Sequence, residues 1–461
     1  MAINLKGSNV LILGAGVTGI AVAKSLSVKG ATVEFADDHV TEVMGFKVSQ
    51  PEKISLTGFE FIVVSPGWKE SHPLISEAIA SGIKLVNEID LAWSFRSELV
   101  PGQRWIALTG TNGKTTTVEM AAAMLREAGI SAIACGNVGT TVIESVESPE
   151  RYEVLVLEIS SFQLHWLREA SFVAAAILNI AQDHVDWHGS FTEYARVKGS
   201  ILDRASTGIF NADDSEVVNQ AAHWQGRKVF FSLDTPAQGE LGVVEELMVD
   251  RAFVSDPQEA AMLAEVVDVK PTVPHNVANA LAAAGLVRAL GVNPEAIRSA
   301  LQNFSLGRHR IEEVVSKDGV TWINDSKATN PHAAAASLLS SLSSIWIAGG
   351  LAKGAQMQEL IQRCRSRIKA AILIGADREL IANELRSQAP NVEIVYIDPP
   401  STYQRGGTDN SLMEAVVKAA AERATTGDSV LLAPACASMD QFISYSDRGD
   451  RFAAAVKKVI Q

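Results

Sequence analysis

The stretch Ala107-Leu-Thr-Gly-Thr-Asn-Gly-Lys-Thr-Thr-Thr117 decides the fold of the region around it. The apolar run Trp105–Leu108 predicts a buried strand, and a glycine-rich turn leads from it into a helix predicted from about Val118 to Glu127. A strand, a glycine loop and a helix in this order form a phosphate cradle, because backbone N–H groups point at phosphate oxygens. Lys114 adds positive charge toward the outer phosphates, and the Thr115 hydroxyl can hold Mg²⁺. The stretch therefore predicts a nucleoside triphosphate site.

The loop is a shortened form of the usual phosphate-binding pattern. Leu108 stands where the first glycine of the longer pattern would be, which leaves Gly110-Thr-Asn-Gly113 as the glycine-rich part. A glycine-rich turn before a helix is often only a turn. The Lys-Thr pair at its end and the strand before it favour phosphate binding over that alternative.

Composition limits the class of protein. A chain of 461 residues with 47% hydrophobic residues can form two to four domains with packed cores. The net charge of −13 argues against general nucleic-acid binding. Cys135, Cys364 and Cys436 lie far apart, which favours a reducing compartment over a disulfide framework or a metal site. No apolar run of about 18 residues and no secretory signal is visible, so we expect a soluble cytoplasmic protein.

Strand-like and helix-like segments alternate along the chain, which predicts parallel sheets. Asn9–Leu13 is typical of a buried strand, and Asn293-Pro294 predicts the capped start of a helix. Turns at Pro101-Gly102 and near 304–307 divide the chain. We predict an α/β fold of three domains, which are a Rossmann-like N-terminal domain (1–98), a central P-loop-type ATPase domain with a parallel sheet (99–305) and a C-terminal Rossmann-like α/β domain (306–461).

A second glycine loop, Gly14-Ala-Gly-Val-Thr-Gly19, follows the first predicted strand. Asp37 and Asp38 come about twenty residues later, which completes the formal fingerprint of a dinucleotide site. Taken alone, the pattern suggests an NAD-dependent enzyme. The same geometry binds any nucleoside-linked diphosphate, and it can also be a purely structural turn. The separate triphosphate loop favours the diphosphate interpretation.

Two residues of the second domain, Glu158 and His184, could serve a metal ion. Glu158 ends an apolar strand, and a carboxylate at that end of a strand lies near the ligand crevice of an α/β sheet. His184 follows the next strand end, but Mg²⁺ prefers oxygen ligands, so a core or capping histidine stays an alternative. Lys198 has the pattern of an ordinary lysine on a helix surface.

Eight segments resemble the Mur ligases of peptidoglycan synthesis, and they are Gly110–Thr116, Glu158–Leu164, Asp183-His184, Tyr194–Lys198, His275–Ala280, His309-Arg310, Asn324–Asn330 and Pro434–Phe442. They occur in the family's order across essentially the whole chain. Ser160–Leu164, Asp325–Asn330 and Ala435–Ser438 are most similar to the branch of the family that adds D-glutamate. Other branches, and folylpolyglutamate synthetase, share the ATP loop but carry different segments elsewhere.

The resemblance implies a role for each matching residue. It gives the first domain the UDP part of the substrate rather than NAD. It implies ATP contacts at Gly110, Thr111, Asn112, Gly113, Lys114, Thr115, Thr116, Asn276, Asn279, Arg310 and Asp325. It implies substrate contacts at Gly14, Val17, Thr18, Asp37, Asp38, Asn137, Lys327, Thr329, Lys353, Ser438 and Tyr445. It implies two Mg²⁺ ions held by Thr115, Glu158, His184 and Lys198, with Lys198 carbamylated, and it makes Lys114, Glu158, His184 and Lys198 the residues of the chemistry.

The activity implied is ATP-dependent ligation of D-glutamate to UDP-N-acetylmuramoyl-L-alanine through an acyl phosphate. We expect a cytoplasmic monomer without nucleic-acid or membrane partners. The alternatives are a sibling ligase that adds another residue, an NAD(P)-dependent oxidoreductase and a non-catalytic nucleotide-binding module. Two positions depart from some relatives: Leu351 replaces an acidic residue and Tyr445 replaces a phenylalanine, which leaves the amino-acid pocket less defined than the ATP site.

Overall fold

The computed structural model describes residues 5–460 and contains three separate β-sheets with helices around them. The α/β fold class is therefore confirmed. The chain forms two compact units, of which one extends to Ile180 and continues through Trp187–Phe304, while the other contains Ala181–Asp186 and the residues from Ser305 onward. Among residues 5–460, no helix is long and apolar enough to cross a membrane.

The first sheet has five parallel strands. They are β1 (Asn9–Leu13), β2 (Thr32–Ala36), β3 (Lys47–Ser49), β4 (Phe61–Val64) and β5 (Lys84–Val86), with helices α1 (Val17–Val28), α2 (Pro73–Ala80) and α3 (Glu88–Leu99). The strand order β3-β2-β1-β4-β5 reverses direction at β1, and the loop after β1 therefore lies at the crevice where such sheets bind ligands. Residues of β1 enter two hydrophobic clusters alternately, as expected for a strand covered on both faces.

The second sheet has nine strands in the order β14-β13-β12-β11-β10-β9-β6-β8-β7. Its strands are β6 (Arg104–Thr109), β7 (Ala132–Gly136), β8 (Val154–Glu158), β9 (Phe172–Ile177), β10 (Ala205–Asn211), β11 (Arg227–Phe231), β12 (Glu240–Val244), β13 (Leu247–Asp250) and β14 (Ala261–Glu265). Its helices are α4 (Lys114–Glu127), α5 (Val142–Glu147), α6 (Ser161–Trp166), α7 (Val185–His188), α8 (Phe191–Gly199), α9 (Ser215–His223), α10 (Pro274–Arg288) and α11 (Pro294–Asn303). The sheet is parallel except at β12-β13-β14, which pair antiparallel.

The third sheet lies in the other unit and has the order β15-β16-β20-β17-β18-β19. Its strands are β15 (Glu312–Lys317), β16 (Val320–Asn324), β17 (Ser344–Gly349), β18 (Ile368–Ile374), β19 (Glu393–Tyr396) and β20 (Ser429–Leu432). Its helices are α12 (Pro331–Leu339), α13 (Gln358–Cys364), α14 (Arg378–Gln388), α15 (Ser411–Ala421) and α16 (Tyr445–Ile460). Only β15 pairs antiparallel, so the carboxyl ends of β16, β20 and β17 meet at one edge.

The first two sheets share one hydrophobic core. Residues of β1 and of β8 belong to the same buried cluster. Across this contact Asp90, at the start of α3, is buried and accepts the backbone N–H groups of Arg168, Glu169 and Ala170 at 2.7, 2.8 and 2.8 Å. The two glycine loops are thus held in one compact unit. The domain limits of 1–98, 99–305 and 306–461 remain our proposal.

The helix after the phosphate loop starts earlier than predicted. α4 begins at Lys114 rather than near Val118. Gly113 has a φ of +80° and ends the loop abruptly, so the next residue is already helical. Thr117 donates its hydroxyl proton to the Gly113 carbonyl at 2.9 Å, which stabilises a first turn that β-branched threonines would otherwise disfavour. Lys114 and Thr115 therefore lie in the first turn of the helix.

Candidate active site

The phosphate loop, Gly110–Gly113, joins β6 to α4 and packs against helix α10. A Cβ atom at Gly113 would come within 2.3 Å of Asn279 Oδ1, so glycine is required both for its φ and for this close approach. Asn279 is buried against the loop, and its contact with the nucleotide stays a prediction. Asn276, the other predicted asparagine, is also buried and donates to the Pro271 carbonyl at 3.1 Å.

Lys114 lies across its own loop. Its Nζ donates to the carbonyl oxygens of Gly110 and Thr111, both at 2.9 Å, and the residue is half-buried. The ammonium group is therefore held at the mouth of the loop, where it can compensate phosphate charge. Thr115 and Thr116 follow in the first turn of α4 and are both buried.

Asn179 fixes the shape of the loop and was not predicted as a site residue. Its Oδ1 accepts the Asn112 N–H at 2.8 Å, its Nδ2 donates to the Asn112 carbonyl at 3.1 Å, and its own carbonyl accepts the Thr111 N–H at 3.0 Å. A loop held at three points is preorganised for phosphate binding. The available signal was its place directly after the strand β9, where polar residues meet the ligand crevice.

Lys198 is buried, which contradicts the interpretation as a helix-surface lysine. Only 2% of the residue is exposed, although it lies on the amphipathic helix α8. Its Nζ donates to the Gly110 carbonyl at 2.8 Å and to Thr109 Oγ1 at 3.3 Å. It also lies 4.8 Å from the ring centre of Tyr194, whose hydroxyl is 3.0 Å from Thr111 Oγ1. α8 therefore directs this lysine at the phosphate loop rather than at solvent.

Glu158 presents a buried carboxylate beside the phosphate loop. It ends β8, which pairs with β6 so that Glu158 lies opposite Leu108. The side chain is 2% exposed, and its Oε1 accepts Asn137 Nδ2 at 2.8 Å. Its Oε2 is also buried and has no hydrogen-bond partner among residues 5–460. A buried oxygen of this kind fits a cation ligand, because an unpaired buried carboxylate oxygen is otherwise costly.

Among the described residues, Glu158 does not belong to a cluster of side chains that could bind a metal ion without further ligands. Within residues 5–460 no three His, Cys, Asp or Glu side chains gather as a possible metal site. His184 has a φ of +51°, and its Nε2 lies 3.5 Å from Asp183 Oδ2. It belongs to the segment Ala181–Asp186, in a different compact unit from Glu158 and Lys198. The role of His184 beside Mg²⁺ therefore stays a prediction.

The glycine loop of the first domain lies between β1 and α1. A Cβ at Gly19 would come within 2.0 Å of the Gly14 carbonyl oxygen, so the helix can approach the strand only with glycine there. Asp37 accepts the N–H groups of Ala15 and His39 at 2.8 and 2.9 Å. Burial raises the pKa of Asp37, but these backbone donors lower it by more, so its pKa lies below the ordinary value. Asp37 therefore holds the loop.

The N-terminus of α1 opens at this loop. The cap residue Gly16 supplies no side-chain hydrogen bond, and Val17 is 77% exposed. Thr18 is half-buried and Asp38 is exposed. The backbone N–H groups of the first turn are thus available to an anionic ligand such as a diphosphate.

Two predicted ATP contacts of the third sheet lie near each other. Asp325 is buried, and it accepts the Ile311 N–H at 3.3 Å and the Ser337 hydroxyl. Burial raises the pKa of Asp325 to about 6, while these hydrogen bonds and the charge of Arg310 act in the opposite direction. Whether either residue meets ATP stays a prediction.

The predicted amino-acid contacts of the same unit lie on three loops. Lys327 follows β16, Lys353 follows β17, and Ser438 follows β20. Ser438 is buried and Lys353 is exposed with a φ of +50°. Thr329 is half-buried, and its N–H donates to the Lys327 carbonyl at 2.8 Å. These loops therefore share the carboxyl edge of one sheet.

Tyr445 begins α16 and meets the lysine of the first loop. Lys327 Nζ lies 4.1 Å from the centre of the Tyr445 ring. Burial raises the pKa of the Tyr445 phenol, but Lys327 and the hydrogen bond with Ser446 lower it by more, so the pKa is below its ordinary value. Tyr445, which stands where some relatives have phenylalanine, therefore places a phenol next to Lys327, a predicted contact of the amino-acid substrate.

Comparison with known proteins identifies the family. Family models match in three parts: the N-terminal domain described as Mur ligase, MurD-like, at residues 8–87, the Mur ligase middle domain at 108–287, and the Mur ligase glutamate ligase domain at 309–436. The chain belongs to the Mur ligase family. The Mur ligase family is ATP-dependent, and the phosphate loop lies within the part that matches its middle domain. That this loop binds ATP stays a prediction.

Similar Mur ligases cover the chain from end to end. The UDP-N-acetylmuramoylalanine--D-glutamate ligase of Thermobifida fusca is 46% identical, over 98% of this chain and 99% of that protein. The enzyme of the same name from Streptomyces coelicolor is 44% identical, over 100% of both chains. These relatives place the chain in the D-glutamate branch of the Mur ligases.

Solved structures of Mur ligases share the fold. A pseudomurein peptide ligase type C from Methanothermus fervidus superposes with a TM-score of 0.60 at 18% identity, over 98% of this chain and 100% of that chain. The MurF ligase from Thermotoga maritima in complex with ADP gives a TM-score of 0.56 at 17% identity, over 98% and 95%. At these identities the likeness concerns the fold alone.

Proposed function

We propose that this Mur ligase adds D-glutamate to UDP-N-acetylmuramoyl-L-alanine in an ATP-dependent amide ligation of peptidoglycan synthesis. The observation that carries the proposal is the 44–46% identity, over nearly the whole length, to ligases named for this reaction. The preorganised phosphate loop and the buried Lys198 beside it supply the parts that such a reaction needs.

The reaction begins with activation of a carboxylate, which does not react with an amine at neutral pH. An oxygen of the L-alanyl carboxylate attacks the γ-phosphorus of ATP, and the bond from that phosphorus to the ADP oxygen breaks. Lys114 and the N–H groups of the loop offset the charge that develops on the phosphate oxygens. Asn179 holds the loop in the required shape before ATP arrives.

The second half of the reaction forms the amide bond. The D-glutamate amine attacks the carbonyl carbon of the acyl phosphate, the carbon–oxygen bond to phosphate breaks, and the amine loses a proton. Lys327, Thr329, Lys353 and Ser438 are the residues we propose to hold the amino acid. No protein nucleophile is required, so positioning and exclusion of water are the main tasks of the chain.

The residues around the loop fit Mg²⁺. Glu158 offers a buried carboxylate oxygen without another partner, and Thr115 offers a hydroxyl in the first turn of α4. When bound, Mg²⁺ neutralises phosphate charge. We propose that Lys198 loses the proton of its ammonium form, and that the neutral amine then forms a nitrogen–carbon bond to CO₂ and releases a second proton to become a carbamate. An anionic oxygen suits this position better than an ammonium group. His184 is the fourth proposed ligand.

A phosphate-release assay tests the function. Purified protein receives ATP, Mg²⁺ and UDP-N-acetylmuramoyl-L-alanine, together with D-glutamate, L-lysine or a folate substrate in parallel. We expect release only with D-glutamate, and only when the UDP-linked substrate is present. Release with L-lysine would instead indicate a sibling ligase, and no release with any amino acid would contradict a ligase. We expect the enzyme to be a cytoplasmic monomer without nucleic-acid or membrane partners.

A further inference from the structure

Arg448 is a fully buried arginine in the third-sheet unit. It lies in the first turns of α16, and none of its surface is exposed. Burial of a guanidinium group is costly unless its N–H groups are satisfied. Burial lowers the pKa of Arg448 to about 10, so the side chain still carries its positive charge at neutral pH.

The guanidinium group contacts the ends of three strands. Its Nε and Nη2 donate to Ser326 Oγ and the Ser326 carbonyl, both at 3.0 Å, just beyond β16. Its Nη1 donates to the Cys436 carbonyl beyond β20 at 3.2 Å and to the Gly349 carbonyl at the end of β17 at 3.4 Å. One side chain therefore ties three backbone segments at the same edge of the sheet.

Further hydrogen bonds join the same loops to one another. Ser326 Oγ donates to the Tyr445 carbonyl at 2.8 Å, which links the first loop to the start of α16. The N–H groups and carbonyls of Leu351 and Ala437 exchange two hydrogen bonds of 2.9 Å, which link the loops after β17 and β20. The three loops form a connected layer with Arg448 beneath it.

The four oxygens that accept from Arg448 are carbonyl or hydroxyl oxygens, and no carboxylate within residues 5–460 contacts it directly. Asp440 acts on Arg448 electrostatically and offsets part of its charge. The Oδ2 of Asp440 accepts the Ala376 N–H at 2.9 Å. A cation at the carboxyl edge of the sheet favours an anionic ligand there, and it acts strongly because the surroundings are dry.

We infer that Arg448 is a positioning residue for the amino-acid substrate. It fixes the spacing of the loops that carry Lys327, Lys353 and Ser438, and its charge adds to the attraction for a substrate with two carboxylates. This inference rests on the proposed function. It concerns the binding of the amino acid. The phosphate loop and the glycine loop of the first domain lie on other elements, whereas Asp325, a predicted ATP contact, is the neighbour of Ser326.

The test compares variants of Arg448 and Ser326 with a matched arginine. Arg448→Lys keeps the charge but cannot reach all three strand ends, and Ser326→Ala removes only the hydroxyl contact. Arg423→Gln is the control. Arg423 donates to the Ala419 carbonyl and to the carboxylate of Glu393, which is the first residue of β19 and so lies at the amino edge of the sheet, away from the three loops. Each protein is assayed for kcat, for KM of all three substrates and for the thermal unfolding midpoint.

We expect Arg448→Lys to raise KM for D-glutamate by about tenfold or more and Ser326→Ala to raise it less, with KM for the UDP-linked substrate within about twofold and KM for ATP rising less than KM for D-glutamate. Arg423→Gln should leave every KM unchanged. An unchanged KM for D-glutamate in folded Arg448→Lys would overturn the inference, as would an equal rise in all three values. If Arg448→Lys does not fold, an unchanged KM in Ser326→Ala overturns it. A wild-type enzyme without D-glutamate-dependent phosphate release would instead refute the proposed function.

Discussion

Lys198 shows how much a single residue depends on the fold. Its sequence pattern is that of a helix-surface lysine, yet α8 buries it and aims it at Gly110. We expect Lys198→Ala to lose most activity, because it removes the proposed carbamate oxygens from the metal site. Lys198→Arg and Lys198→Gln should not restore it, since neither offers an anionic oxygen.

The measurement for Lys198 is the phosphate-release rate at several Mg²⁺ concentrations, repeated with added short carboxylic acids. A partial recovery with such an acid would support a missing anionic oxygen. An alanine variant with an unchanged rate and an unchanged Mg²⁺ dependence would return Lys198 to a structural role.

Lys114 is the second residue whose role can be isolated. Its ammonium group donates to the carbonyl oxygens of Gly110 and Thr111 in the loop, and the residue is half-buried. Lys114→Ala should therefore keep the fold and lower kcat by about a hundredfold or more, because phosphate charge is no longer compensated. Circular dichroism and kcat at saturating ATP check the two parts separately. A near-normal kcat would contradict the assignment.

At the level of elements, local patterns predicted much of the fold. β1 has the predicted bounds, and α11 starts at Pro294 with Asn293 accepting the Ala296 N–H at 2.8 Å. These features depend on residues close together in the sequence, so a local sequence pattern can predict them. The start of α4 was missed, because the φ of Gly113 and the packing of Asn279 against it depend on a helix far away in the chain.

The site could be predicted only in part, for the same reason. The sequence pattern is strong at the strand ends, where the glycine loop and Glu158 lie, and at the helix start after the loop, where Lys114 lies. Asn179 and Arg448 act through partners distant in sequence, and an asparagine or arginine by itself carries no signal for such a contact. The family resemblance, and not the local sequence pattern, is what predicted a place for Lys198 in the metal site.

Glu88 links α3 to α5 and makes the stability of the fold depend on pH. It lies at the start of α3, is buried, and its Oε1 accepts the Ile143 N–H of α5 at 2.6 Å. Burial raises the pKa of Glu88 from 4.5 to about 7, and the backbone N–H groups of Ile143 and Val142 only partly offset it. The folded state therefore binds this proton more tightly than the unfolded state.

The stability that Glu88 contributes is fully present below pH 4.5 and is lost as the pH rises to about 7. The loss is on the order of 3 kcal/mol. Glu88→Gln removes this dependence, and its amide oxygen can still accept from Ile143. In urea unfolding, the free energy of unfolding of the variant relative to wild type should be higher at pH 8 than at pH 5. An equal difference at both pH values would contradict this account.

At the scale of the whole molecule, the two glycine loops belong to one compact unit with a shared core. We propose that one of them binds ATP, so a second nucleotide cofactor is not needed for the proposed reaction. Asp37 is engaged with the backbone of its own loop, and the first turn of α1 faces outward. These features suit the diphosphate of a nucleoside-linked substrate.

We therefore expect the first domain to bind the UDP-linked substrate and not NAD. Calorimetric titration of the whole protein measures both, with UDP alone as a third ligand. The UDP-linked substrate should bind in the micromolar range, because the helix N-terminus and the glycine loop hold its diphosphate. UDP should bind more weakly, since it lacks the part that reaches the central domain, and NAD should give no heat above dilution. Micromolar binding of NAD without binding of the UDP-linked substrate would refute the assignment of this loop and leave the ATP loop untouched.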